Sequence, residues 1–198
     1  MRYLPRLFMR FCNPQCVLAA MAAVLVASLL SACGKVSDKL TEKATEKMIE
    51  SSISKDGGTA KVDLSGGSAK VTSTDANGKT MQMEMGGAKI TEADIGLPFY
   101  PGSKPIEGQS TKVSTGEGKM ATLILHSDDT PDKVAEFYRG QLKAKAKGAE
   151  LMDMNSGDGN IMLMLIDEKA DATTQVSLKK AEPGTDVTVM ASRGFKPK

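Results

Sequence analysis

Thr130-Pro131-Asp132-Lys133-Val134-Ala135-Glu136-Phe137-Tyr138-Arg139-Gly140-Gln141-Leu142 has helical spacing but lies between runs that alternate like strands, and that contrast decides the fold class. Thr130 is a hydroxyl N-cap, Pro131 has its φ preset for the first helical position, and Asp132 places a negative charge at the positive end of the dipole. Val134, Phe137, Tyr138 and Leu142 recur at helical spacing and are expected to form the buried stripe. Lys143, Lys145 and Lys147 follow where the dipole favours cations, and Gly148 stops the helix.

Strands are expected on both sides of this helix. Ser110 to Thr115 and Lys119 to Ser127 precede it; Ala149 to Met154, Ile161 to Ile166, Gln175 to Lys179 and Asp186 to Ala191 follow it. Ile161-Met162-Leu163-Met164-Leu165-Ile166 is apolar at every position, which predicts a central strand covered on both faces. The resulting order, β-β-α-β-β-β-β, predicts an α+β fold: an antiparallel β-sheet with one packed helix over residues 95–198. Leu97-Pro98-Phe99-Tyr100-Pro101-Gly102 leads into it, with two prolines and a glycine forbidding regular structure and the aromatic pair expected to plug one end of the core.

Upstream, residues 57–94 read as a small β-meander. Ala60 to Leu64, Ala69 to Thr74 and Lys79 to Met85 are separated by Ser65-Gly66-Gly67 and Asp75-Ala76-Asn77-Gly78, and Asn-Gly suits the positive φ of a tight hairpin. Few large apolar groups are present, so these strands must lean on the next unit or stay loosely ordered. Residues 35–54 read as a helix. Val36, Leu40, Ala44 and Met48 form one column, Asp38, Glu42, Glu46 and Glu50 another, and Lys39, Lys43 and Lys47 a third. A spacing of four overshoots the period of about 3.6, so the apolar column drifts, and a solvated helical stalk is the expectation.

The N-terminal end supplies an address. Arg2, Arg6 and Arg10 precede an apolar run from Val17 to Leu30, with no acidic residue before Cys33. The run is shorter than the ~20 residues a membrane-spanning helix needs. It ends in Leu30-Ser31-Ala32-Cys33, which resembles the lipobox of bacterial lipoproteins. The resemblance implies a signal peptide over 1–32, cleavage before Cys33 and a lipid on its thiol; with that Cys at its start, the stalk read from the charged columns takes up 33–56. Two or more acyl chains anchor stably where one binds only marginally. Gly34, where an Asp commonly retains such proteins in the inner membrane, implies the outer membrane by the same resemblance.

Composition bounds the rest. Cys12 and Cys16 lie in the leader and Cys33 is the lipid site, so no disulfide, Cys-based metal site or Cys nucleophile is left for the folded part. Three basic residues and no acids leave with the leader, turning a net charge of +2 into −1. A near-neutral body argues against nucleic acid as a partner. With no Trp, few other aromatics and 13 Met, the chain is expected to use Met in place of larger apolar side chains.

Leu97 to Gly102, then Thr130-Pro131 and Phe137-Tyr138 within Val134 to Leu142, resemble a segment found in bacterial lipoproteins and envelope proteins, a "YPG" lead-in followed by an "FY..qL" helix. That resemblance implies an envelope domain and assigns no activity.

Several residues carry candidate chemistry. Met81, Met83 and Met85 project from one face of a strand, and thioethers are soft ligands that suit Cu(I). Met152, Met154, Met162 and Met164 offer a second group that, on a neighbouring strand, would complete a site. The first trio is the better metal candidate, because Gln82 and Glu84 make its surroundings polar; the competing account is that Met fills core positions. His126 precedes Asp128 and Asp129, yet no nucleophile can be assigned beside it. Ser52-Ile53-Ser54-Lys55 matches a Ser-x-x-Lys spacing without its companion motifs. Gly116-Glu117-Gly118-Lys119 falls short of a phosphate loop and reads as a turn. Asp153 to Asp158 begins like a calcium loop and ends without its Glu. Arg139, Lys143, Lys145 and Lys147 form a basic cluster of the kind that lines a solvated face. No catalytic residue and no cofactor is assigned. The expected function is that of an outer-membrane lipoprotein, not an enzyme, facing the periplasm and engaging another envelope protein. Soft-metal binding through the Met rows is the alternative, and a hydrolase using His126 the second.

Overall fold

A computed structural model describes residues 38–54 and 57–195, with side chains from Thr41 onward. The leader, Cys33 and Lys55 lie outside the described residues. The chain divides into two compact units between Thr41 and Glu42, and the second contains every strand among the described residues.

Helix α1 (Asp38–Ser54) enters this second unit and is followed by strands β1 (Thr59–Ser65), β2 (Ser68–Thr74) and β3 (Thr80–Met85). Then come the short helix α2 (Glu92–Ile95), β4 (Lys104–Thr115), β5 (Lys119–Ser127), helix α3 (Pro131–Lys145), β6 (Glu150–Asn155), β7 (Ile161–Asp167), β8 (Ala172–Lys180) and β9 (Thr185–Arg193). Among the described residues, nine strands join one antiparallel sheet in the order β1-β2-β3-β4-β5-β9-β8-β7-β6. The fold is α+β, an antiparallel sheet with a few helices, and each strand read from alternation is present.

The order follows from one crossover. After β5 the chain must reach the far edge, four strand spacings or about 19 Å away. Helix α3 has 15 residues and is about 22 Å long, so it spans the gap across β7 and β8 and delivers the chain to β6. Hairpins then return inward until β9 pairs with β5, Leu123 opposite Val189.

Helix α3 covers one face only. Ile161, Leu163 and Leu165 of β7, Val176 and Leu178 of β8, and Val187, Val189 and Ala191 of β9 pack beneath it with Val134, Ala135, Tyr138 and Leu142. This corrects the expectation of a central, doubly covered β7. That strand lies next to the edge, and Met162, Met164 and Ile166 on its other face are half-buried. A continuous apolar run does not require two covering layers when two of the three apolar side chains on its second face are Met, which tolerates partial exposure. The helix stripe is also shifted: Ala135 takes a buried place and Phe137 is only half-buried.

The buried face inverts along the sheet. In β5, Ala121, Leu123 and Leu125 face α3, whereas Val113 of β4 is buried on the opposite face, paired with Met120. Val62, Val71 and Met83 continue that row across β1, β2 and β3. Residues 57–94 thus extend the same sheet through the β3–β4 pairing, with their apolar side reversed.

Helix α1 from Glu46 onward is tied to the free edge of β1. The backbone N–H of Leu64 donates to Glu46 Oε1 at 2.8 Å, and that of Val62 to Glu50 Oε1 at 2.9 Å. Thr45, Ile49 and Ile53 share this half-buried side, while Met48 is 70% exposed. The inward stripe therefore carries Glu46 and Glu50, while Ala44 and Met48 of the expected apolar column are exposed. This arrangement blunts an edge strand that would otherwise present unpaired N–H groups.

Candidate functional site

Five aromatic residues follow Cys33 in the chain, and four of them (Phe99, Tyr100, Phe137 and Tyr138) belong to the lead-in segment and to α3. The capping box at Thr91 and Asp94 starts α2, which turns the chain at Gly96 so that Leu97 and Tyr100 enter the core. Tyr138 is fully buried and its Oη accepts the Tyr100 backbone N–H at 3.1 Å. Burial disfavours its phenolate and pushes its pKa up to about 12. Phe137 meets the Tyr100 ring edge-on at 5.3 Å and the Tyr138 ring at 5.0 Å. Above this packing lies an open depression of about 340 Å³ lined by Tyr100, Pro101, Lys133, Glu136 and Phe137.

A polar cluster flanks the depression. Tyr100 Oη donates to Asp129 Oδ2 at 2.7 Å, and Lys133 Nζ donates to Asp129 Oδ1 at 2.8 Å. Below, the buried Thr185 hydroxyl donates to the Asp129 carbonyl at 2.7 Å, and the Asp129 N–H donates to Ser127 Oγ at 3.2 Å. The hydrogen bond from Lys133, then that from Tyr100, lowers the Asp129 pKa; Asp129 in turn raises those of Lys133 and Tyr100. Every shift moves its group further from neutrality. The cluster fixes a carboxylate, an ammonium and a neutral phenol, an arrangement suited to holding shape and charge and not to exchanging protons near pH 7. Lys133 four residues after Asp129 was legible as an i,i+4 pair; Tyr100 as their third member was not.

The other candidates are scattered. His126 on β5 pairs with Asp186 across the β9 ladder, Nδ1 to Oδ1 at 2.9 Å, and Asp128 Oδ1 is 3.7 Å from Nε2. Ser127 points to the opposite face, as successive strand residues do, so it cannot serve His126 as a nucleophile. Ser52 Oγ donates to the Met48 carbonyl within α1. Gly116 to Lys119 is the turn between β4 and β5, closed by the Thr115 N–H donating to Gly118 O at 2.8 Å. Asp153 is held by Arg139, Nε to Oδ2 at 2.6 Å, and the Gly157 N–H donates to Asn155 Oδ1 at 2.9 Å, which makes that loop an Asx turn. In the basic cluster, Arg139 is thus paired and Lys145 donates to the Gly96 carbonyl.

The Met rows lie on one face but apart. Met81, Met83 and Met85 are half-buried, with Met83 between the buried Val71 and Val113. Met162 and Met164 stand five strands away, about 24 Å, so they cannot complete a site with the first trio. Instead β6 and β7 bring Met152 opposite Met164 and Met154 opposite Met162.

Among the described residues no group of three or more His, Cys, Asp or Glu is placed to hold a metal ion, and no helix is long and apolar enough to cross a membrane. No protein-family model, curated protein or solved structure matches this chain.

Proposed function

We propose that this chain is a bacterial lipoprotein, anchored through Cys33 and facing the periplasm from the outer membrane, whose α+β domain works by binding another envelope protein. The observation that carries the reading is Leu30-Ser31-Ala32-Cys33 after a basic head and a short apolar run. Eight residues separate Cys33 from Glu42, so even fully extended they hold the body within about 30 Å of the lipid. The charged segment before Glu46 is then the stalk, and the β-meander is the part of the sheet nearest to it in sequence. A membrane-bound partner is within reach of such a tether.

The depression at Tyr100 and Phe137 is the contact point this reading favours. Aromatic anchors in a shallow pocket with a charged rim are the composition of interface hot spots. Lys133 and Glu136 supply a rim of both signs, in keeping with a protein partner. A photo-crosslinking residue placed at the exposed Glu136 should capture a discrete envelope protein in cells, and the same residue at Lys143 should capture less of it. Equal capture from both positions would rule out the depression as the contact point.

A further inference from the structure

We propose that the β6–β7 hairpin carries a surface site for a soft monovalent cation, Cu(I) in the first instance, formed by Met152, Met154, Met162 and Met164. The register sets Met152 directly opposite Met164 and Met154 directly opposite Met162, so the four side chains form a two-by-two patch on the face away from α3. Opposed Cβ atoms in an antiparallel pair are about 4.5–5.5 Å apart and diagonal ones about 7–8 Å, which puts each Cβ about 4 Å from the centre of the patch. A Met sulfur stands two bonds beyond its Cβ, and a metal–sulfur bond is on the order of 2.3 Å. One ion above the centre is within reach of all four thioethers.

Packing does not account for this patch as it accounts for the β3 trio. Met152 and Met154 are 36% and 46% exposed on the edge strand, and Met162 and Met164 are half-buried. Their neighbours on β8 are polar, Gln175 beside Met164 and Ser177 beside Met162. An edge strand ordinarily avoids exposed apolar side chains, and β-branched residues fit a pleated surface better than Met. What Met adds is sulfur. The alternating residues serve the core instead: Leu151 packs against it and Asp153 pairs with Arg139, while the outer face of the ladder carries the four thioethers, with the Glu150–Ile166 pair beyond them at one end. The sulfurs are neutral and soft, which selects Cu(I) over the hard divalent cations that need carboxylates. They also bear no proton to lose, so binding should be flat with pH between about 5 and 8, where a His site would weaken.

The test is an anaerobic titration of the full-length, detergent-extracted protein with Cu(I) against a coloured Cu(I) chelator. One ion per chain is expected, with affinity unchanged across that pH window and a sulfur-only shell by X-ray absorption. Replacing all four residues by Leu conserves volume and should leave the circular dichroism spectrum intact. It should weaken binding by more than the roughly 10–100-fold that loss of an outer-shell partner costs. The Met81→Leu, Met83→Leu, Met85→Leu triple variant should bind as the parent does. Absence of binding in the parent, full binding by the folded quadruple variant, or loss confined to the β3 variant would each overturn the proposal.

Discussion

The Tyr138 hydroxyl accepts the backbone N–H of Tyr100, 38 residues earlier, and this buried hydrogen bond pins the lead-in segment onto helix α3. It gives a physical sense to the pairing of a Tyr-Pro-Gly stretch with a Phe-Tyr helix. Pro101 and Gly102 turn the chain so that the Tyr100 amide points inward, and an aromatic residue with an oxygen at its tip is needed to meet it. Tyr138→Phe removes that acceptor and leaves a buried donor unsatisfied, which should cost about 1–3 kcal/mol. Phe137→Ala, at a half-buried position, should cost less than the ~3–5 kcal/mol of a fully buried Phe. Urea midpoints of the two variants and of Lys143→Ala, expected near the parent, check the ordering.

Acid stability should depend on Asp94. The hydrogen bond from Lys112, reinforced by the Thr91 backbone N–H, lowers its pKa from 3.8 to about 2. A carboxyl whose folded pKa is depressed stabilises the fold above its unfolded pKa, and that stabilisation is lost as pH falls through the folded value. Asp94→Asn should therefore be less stable than the parent at neutral pH, with the gap closing between about pH 4 and pH 2. Chemical denaturation across that range reads it directly; a gap constant with pH would remove the Lys112 pair as the cause.

The β1 edge is protected by two side chains. Glu46→Ala with Glu50→Ala should accelerate amide exchange at Val62 and Leu64 and promote concentration-dependent association through the bared edge. Glu46→Gln with Glu50→Gln keeps an acceptor oxygen and should preserve most of the protection. If the Ala and parent proteins exchange alike at those amides, α1 does not hold the edge.

Gly184 has φ +86°, and a Cβ there would collide with the Ser127 carbonyl oxygen. The turn between β8 and β9 lies against the loop that carries Asp129. Gly184→Ala should cost at least about 1–3 kcal/mol from the left-handed backbone alone. The crosslinking yield from Glu136 should fall with it as the Asp129 cluster shifts. A variant as stable as the parent would mean the turn relaxes at little cost.

Strand positions and the start of α3 were legible because alternation, Pro131-Asp132 and the glycine turns are local signals, whereas Thr130 makes no side-chain capping bond and the helix ends at Lys145, short of Gly148. The exposed side of each element was harder to read. Glu46 and Glu50 of α1 face the sheet because their carboxylates meet backbone N–H groups of β1, a long-range contact that no helical periodicity encodes. The place of β7 followed from the number of layers over the sheet, which depends on where α3 crosses. Helix α2 had a sequence signal in Thr91-x-x-Asp94, a capping box three residues apart, but at four residues it is too short to show periodicity. At the aromatic depression, Tyr100 and Asp129 are 29 residues apart and only the folded chain brings them together.

Lipid anchoring at Cys33 is tested most directly by the intact mass of the protein extracted from bacterial membranes. A chain beginning at Cys33 and heavier than its peptide by a diacylglyceryl group and an acyl chain is the predicted result, with Cys33→Ser neither lipidated nor retained on membranes. A membrane-bound protein that keeps residues 1–32 and carries no lipid would contradict it.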